Sequence, residues 1–143
     1  MNGDGYTSYS NLMLKRYILD KSRCTYSDGS LALFNISFSK RTIVRLKLLL
    51  NVVDQDTSAC SIYEINNAFR CIDTDLIQIG DDDILSFEDR DNSGHVVTYD
   101  KMCNNLRISI CDRSSKCKDG MLRHLHTIGR LEIIVFQGKI KSN

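Results

Sequence analysis

The run LALFNISF at Leu31–Phe38 restricts the fold more than any other feature of this sequence, because its apolar residues recur at every second position. Successive side chains of an extended chain point to opposite faces, so one face of this run is uniformly apolar. The pattern predicts a strand whose buried face carries Ala32, Phe34, Ile36 and Phe38. The preceding TYSDGS contains Asp-Gly, a typical hairpin turn between two strands.

Other short apolar runs are also typical of strands. NLMLKRYILD favours a strand over Leu12–Leu19, although its imperfect alternation leaves a helix open. SIYEINNAFRCI fits a helix or a strand equally well. The clearer strands are predicted at residues 76–79, 84–87, 106–111 and 131–136.

Two segments predict helices. After Ser39, a possible N-cap, apolar residues follow at helical spacing within KRTIVRLKLLLNVVD, although the same run also alternates as a strand would. KDGMLRHLHTIG predicts a second, short helix that ends at Gly129. On that helix His124 and His126, two positions apart, could not share a ligand.

The sum is an α+β, mainly β fold: one OB-fold-like small β-barrel with about two helices. A closed or partly open barrel would remove exposed sheet edges. A chain of 143 residues fits one domain. We expect a flexible N-terminus over 1–8, the barrel over 9–138 and a flexible tail over 139–143. No apolar stretch approaches the roughly 20 residues of a membrane helix, so no membrane partner is expected.

Charge and motifs narrow the function. Nineteen basic against eighteen acidic residues give a net charge of +1, which argues against charge-driven capture of nucleic acid. Tyr17 and Phe34, near Lys15 and Arg16 in the sequence, are typical of a stacking platform for single-stranded nucleic acid. The simpler alternative is that Tyr17 and Phe34 belong to the core.

The sequence matches none of the common catalytic or metal-binding motifs. It has no nucleophile elbow or phosphate loop, and the acidic run at 81–83 fits a solvated turn better than a calcium loop. The chain is therefore predicted to be non-catalytic and to need no cofactor. Six cysteines without a CxxC pair favour free thiols. A zinc site would have to draw on Cys103, Cys111, Cys117 and His124, a spacing that matches no common zinc framework.

Four segments in order resemble a known family. They are LMLKRYIL with CTYSDGSLALFNISFSK, then LIQIGDDDILSF, LRISICDRSS and HTIGRLEIIVF. Together they resemble the small regulatory OB-fold subunit of budding-yeast telomerase, whose fold also occurs in the telomerase-recruiting protein of the mammalian telomere cap. His126 departs from the family, which has an aspartate at that place.

The resemblance implies a telomerase accessory subunit that acts at chromosome ends in the nucleus. It would dock on the catalytic subunit and other holoenzyme proteins, contact telomerase RNA only indirectly, and bind single-stranded DNA weakly or not at all. The family's functional hairpin aspartate corresponds to Asp28 and its first-strand basic residue to Lys15, beside Arg16. The alternative function is a general single-strand binder of OB type that uses Tyr17, Phe34, Lys15 and Arg16.

Overall fold

The chain forms strands and turns throughout the residues that the computed structural model describes, which are 14–27, 30–88, 95–112 and 123–143. The strands in chain order are β1 Lys15–Ser27, β2 Ser30–Phe38, β3 Ile43–Asp54, β4 Cys60–Ile72, β5 Asp75–Gln78, β6 Asp83–Glu88, β7 His95–Met102, β8 Asn105–Asp112, β9 Arg123–Gln137 and β10 Ile140–Ser142.

The strands form two antiparallel sheets. The large sheet has the order β1-β9-β3-β4-β5, and β6 also pairs with β4. β5 pairs with the end of β4 and β6 with its beginning, so the two short strands lie end to end along one edge. The small sheet has the order β10-β2-β8-β7.

One hydrophobic core lies between the two sheets. Both sheets contribute alternate side chains to it, as expected when each sheet buries one face. The largest fully buried side chains come from β2, β3, β4, β8 and β9: Phe38, Phe69, Ile36, Leu46, Leu48, Leu50, Leu106, Ile108, Leu131, Ile133 and Val44.

The predicted α+β barrel is wrong. The described residues contain no helix, and the large sheet ends at β1 on one side and at β5 and β6 on the other without pairing these edges. The architecture is an open two-layer β-sandwich, because the strands divide between two sheets that each keep their edges. None of the described residues belongs to a helix that could cross a membrane.

The first predicted helix is strand β3. Its buried residues alternate from Val44 to Val52, so the strand periodicity prevails over the helical spacing in the same run. Both neighbours of β3 supply facing partners along its length, which an isolated sequence pattern does not reveal. Ser39 caps no helix; its hydroxyl lies 2.9 Å from that of Thr42 and accepts the Lys139 N–H at 3.0 Å.

The second predicted helix overlaps β9, which extends as a strand through Gly129. A Cβ on Gly129 would lie 3.3 Å from Leu50 Cδ1 and 3.4 Å from Phe34 Cε2, so the glycine serves close packing between the sheets and ends no helix. His124 and His126 therefore lie on one face of a strand, contrary to the helical prediction.

Strand β2 shows one local departure from its predicted alternation. Phe34, Ile36 and Phe38 are buried as expected, but Ala32 is exposed and Leu33 is buried instead. The pairing with β8 shifts between Ala32 and Phe34, so an extra residue reverses the alternation at this end of the strand.

Residues 139–143, assigned to a tail by the sequence, include β10. This strand pairs with β2, and the N–H of Asn143 donates to the carbonyl of Asn35 at 2.9 Å. The chain thus crosses from the large sheet to the small sheet between β9 and β10. Gly138 makes that crossing with φ of 86°.

We expect Gly138→Ala to destabilise the protein strongly. The new Cβ would lie 2.6 Å from the Cα of Thr42, and φ is positive, so both the backbone and its neighbour would have to move. The expected loss is about 2 kcal/mol or more in the free energy of unfolding, measured by urea denaturation. Gly80→Ala is the matched control.

Gly80 also has a positive φ, of 75°, but a Cβ on this residue would meet no atom within 4 Å. That control should lose only about 1 kcal/mol, the cost of the left-handed conformation. Equal losses in the two variants would show that packing against Thr42 does not matter.

Candidate protein-binding surface

The outer face of the large sheet exposes large apolar side chains among its charges. Leu49, Ile62, Phe87 and Ile128, here called the outer apolar patch, are each at least 40% exposed. Phe87 pairs directly with Ile62, and Asn51 lies between Ile62 and Ile128 in the same row. The patch therefore runs across β6, β4, β3 and β9.

A shallow depression of ≈ 420 Å³ lies within this face. The apolar Leu49, Ile62 and Ile128 line it together with the charged Asp20 and Arg130. An apolar floor beside charged groups is typical of the surfaces that proteins use to bind other proteins.

Three ion pairs lie beside the patch on the same face. Arg130 Nε donates to Asp20 Oδ1 at 2.7 Å, and Arg16 donates to Glu132 at 2.6 Å. Lys47 Nζ lies 3.9 Å from Glu64 Oε1. The Arg130 hydrogen bond lowers the pKa of Asp20, and the Arg16 hydrogen bond lowers that of Glu132.

These ion pairs are better suited to orienting a bound partner than to adding affinity for it. Exposed ion pairs contribute little to stability because water competes for each group. At an interface, however, fixed charges beside an apolar area select a partner of matching charge and exclude others. The face is therefore suited to protein binding, with affinity from the patch and selectivity from its rim.

The structure separates the residues that the sequence grouped into one site. Lys15, Arg16 and Tyr17 lie on β1, the edge strand of the large sheet, where they alternate between its two sides. Phe34 is only 3% exposed and belongs to the core, so no base can stack on it. Asp28 lies outside the described residues.

The possible zinc ligands are also dispersed. Cys103 lies in the turn before β8, Cys111 near the other end of that strand, and His124 on the other sheet. Cys117 lies outside the described residues, and within the described ranges no three metal-binding side chains come together. The described cysteines form no disulfide bond with one another.

A polar cluster fills the break between β5 and β6. Asp82 Oδ1 accepts hydrogen bonds from Asn67 at 3.1 Å and from Gln78 at 2.7 Å. The Tyr99 ring packs 6.2 Å from that of Phe69, and burial raises the pKa of its hydroxyl. Within the acidic run at 81–83, Asp82 thus links β4 to the end of β5 through these two hydrogen bonds.

Sequence reasoning missed the outer apolar patch. The segment ILSF was correctly assigned to a strand, but its sequence does not show which of its two faces turns away from the core. The sequence contained a weak signal of an exposed apolar surface, since ILSF has apolar residues on both faces of a strand only six residues long.

The structure aligns with parts of two phage proteins. The tailspike protein of Acinetobacter baumannii phage AM24 matches with a TM-score of 0.55 at 7% identity over 94% of this chain. The tailspike protein of Acinetobacter phage vB_ApiP_P1 matches with a TM-score of 0.38 at 15% identity over 91%. This chain spans 29% and 22% of those two chains.

The first likeness shows a shared fold. No family model and no curated protein matches the sequence.

We expect Phe34→Ala to lower the stability of the folded protein. Removing this buried ring leaves a cavity beside Leu50 and Gly129, and the free energy of unfolding should fall by about 3–5 kcal/mol in urea denaturation. Tyr17→Ala, at a 39% exposed position of β1, should lose about 0.5 kcal/mol. A stable Phe34→Ala variant would contradict the core assignment.

We expect Arg130→Gln to raise the pKa of Asp20 toward its ordinary value of 3.8. Because the folded-state pKa is lowered, the pair stabilises the protein at neutral pH, and that contribution disappears as the pH falls through the folded-state value. NMR titration of the Asp20 carboxyl measures the shift. Arg45→Gln, which removes a cation from β3 on the same face, should leave the Asp20 titration unchanged.

Proposed function

We propose that this chain is a non-catalytic protein-binding module of a phage spike of tailspike type. The outer apolar patch is the observation that carries the proposal. Four large apolar side chains remain exposed on adjacent strands of one sheet face, which is unusual for a surface without a partner. The partner on this proposal is another polypeptide segment of the same spike.

The shared fold supports this choice of partner. The sandwich corresponds to less than a third of the AM24 tailspike chain, so a protein of that kind has other polypeptide segments that could bind the patch. Fold alone does not establish function, and the patch is what directs the proposal toward protein binding.

The telomerase function depended on an OB barrel, and the chain is a sandwich. Telomerase docking, nuclear localisation and single-strand binding stay predictions from the sequence. The single-strand binder would stack bases on Tyr17 and Phe34, but Phe34 is buried and no base can reach it. Lys15 and Arg16 also point to opposite sides of β1, so they do not form one basic surface.

The test is whether the chain is part of a phage particle. Particles from the native source are purified by density-gradient centrifugation, and mass spectrometry measures the chain in them. We expect the chain to sediment with the particles. Ile62→Asp should lower its incorporation about ten-fold or more, since a charge in the patch removes apolar contact.

Met102→Asp is the matched control. Met102 is 75% exposed but lies on the small sheet, away from the patch, and its replacement should leave incorporation unchanged. Absence of the chain from particles would contradict the proposal. Co-purification with telomerase activity and telomerase RNA would contradict it and support the telomerase prediction.

A further inference from the structure

Within the described residues, the two edges of the large sheet have no further strand partner, and these edges carry opposite charge. β1 has only β9 as a described neighbour, and its sequence KRYILDKSRCTYS contains four basic residues and one acidic residue. The other edge, residues 75–88, contains five acidic residues and no basic one. β6 has only β4 as a described neighbour.

Both edges also expose apolar side chains between their charges. On β6, Ile84 is 57% and Leu85 53% exposed, although Ile84 lies on the side of the sheet that faces the core. The small sheet therefore does not cover β6. On β1, Tyr17 and Ile18 are exposed in the same way. An uncovered strand edge with apolar side chains is a template for pairing with another strand.

We propose that β6 of one copy of this chain pairs with β1 of the next copy, so that the large sheet continues from molecule to molecule. The antiparallel order β1-β9-β3-β4-β6 makes β1 and β6 run in the same direction. A copy related by rotation about an axis along the strands therefore presents its β1 parallel to β6.

The sequences match in that arrangement. With Asp83 beside Arg16 of the next copy, Glu88 comes beside Lys21, so both ends of the short strand meet a charge of opposite sign. Between them, Ile84 comes beside Tyr17 and Leu85 beside Ile18.

The faces of the two strands match as well. Ile84 pairs with Ile65 in β4, and Tyr17 pairs with Ile133 in β9, so both belong to the core side of the sheet. Leu85 and Ile18 both belong to the outer side. The register thus joins one apolar pair on each face, while Ser86 comes beside Leu19 and Phe87 beside Asp20.

Pairing of like edges is disfavoured. Two β6 strands in full antiparallel overlap would place Asp83 of one copy beside Glu88 of the other, and two β1 strands would bring together two basic edges. Charge therefore selects the pairing of unlike edges, which forms a ring if the rotation closes and a filament if it does not.

Sedimentation velocity of the full chain, from about 1 μM to about 1 mM, tests the inference over the Kd range of weak and moderate contacts. We expect concentration-dependent association. Leu85→Lys, at an exposed site of β6, should weaken it about ten-fold or more, because lysine on an edge strand blocks pairing. Phe136→Lys, 51% exposed on the interior strand β9 and outside the outer apolar patch, should leave it unchanged.

A charge exchange identifies the two edges. Lys21→Glu alone should weaken association about ten-fold, and Lys21→Glu with Glu88→Lys should restore it. The restoration is the decisive readout, because Glu88 also accepts a hydrogen bond from Tyr63 and its single replacement affects the monomer.

A monomer at every concentration would overturn the inference. Loss of association with Leu85→Lys but not with Lys21→Glu would also overturn it, because that result indicates pairing between two β6 strands. The particle experiment with Ile62→Asp reports on the outer apolar patch instead, so either proposal can fail while the other holds.

Discussion

The large sheet depends on the pairing of β9 with two other strands. Antiparallel pairing joins β9 to β1 on one side and to β3 on the other, along most of its length. Its Leu131, Ile133 and Val135 side chains enter the core from the same strand. Without β9 as a strand, β1 would have no described partner and the sheet would end at β3.

That dependence explains how far the sequence could predict the fold. The alternation in β2 and β8 reports the face that each strand buries, so these strands were predictable from local pattern. β3 and β9 contain spacings that fit a helix as well as a strand. Their strand state is decided by partners distant in sequence, as when Arg16 of β1 lies opposite Ile134 of β9. No local signal reports such a pairing.

The binding surface was predictable only in part, for a related reason. Local sequence placed Lys15, Arg16 and Tyr17 on a strand but could not show that the strand is an edge. It grouped Phe34 with them because the residues are near in sequence, whereas β1 and β2 belong to different sheets. Which strands one sheet leaves uncovered depends on the layer opposite, so the exposure of Ile84, on the core side of β6, could not be deduced from its own segment.

An open sandwich has a difficulty that the expected barrel would not have, because its edge strands stay available to other chains. Natural proteins commonly protect such edges with charge. In this chain the two edges carry charges of opposite sign, since β1 is basic and the edge formed by β5 and β6 is acidic. Like edges repel and unlike edges attract, so the same charges that prevent indiscriminate aggregation leave one specific pairing open. These charges are exposed, so salt screens both the repulsion and the attraction. The screening length is about 10 Å at 0.1 M salt, and ionic strength therefore controls how strongly charge acts on the pairing of the edges.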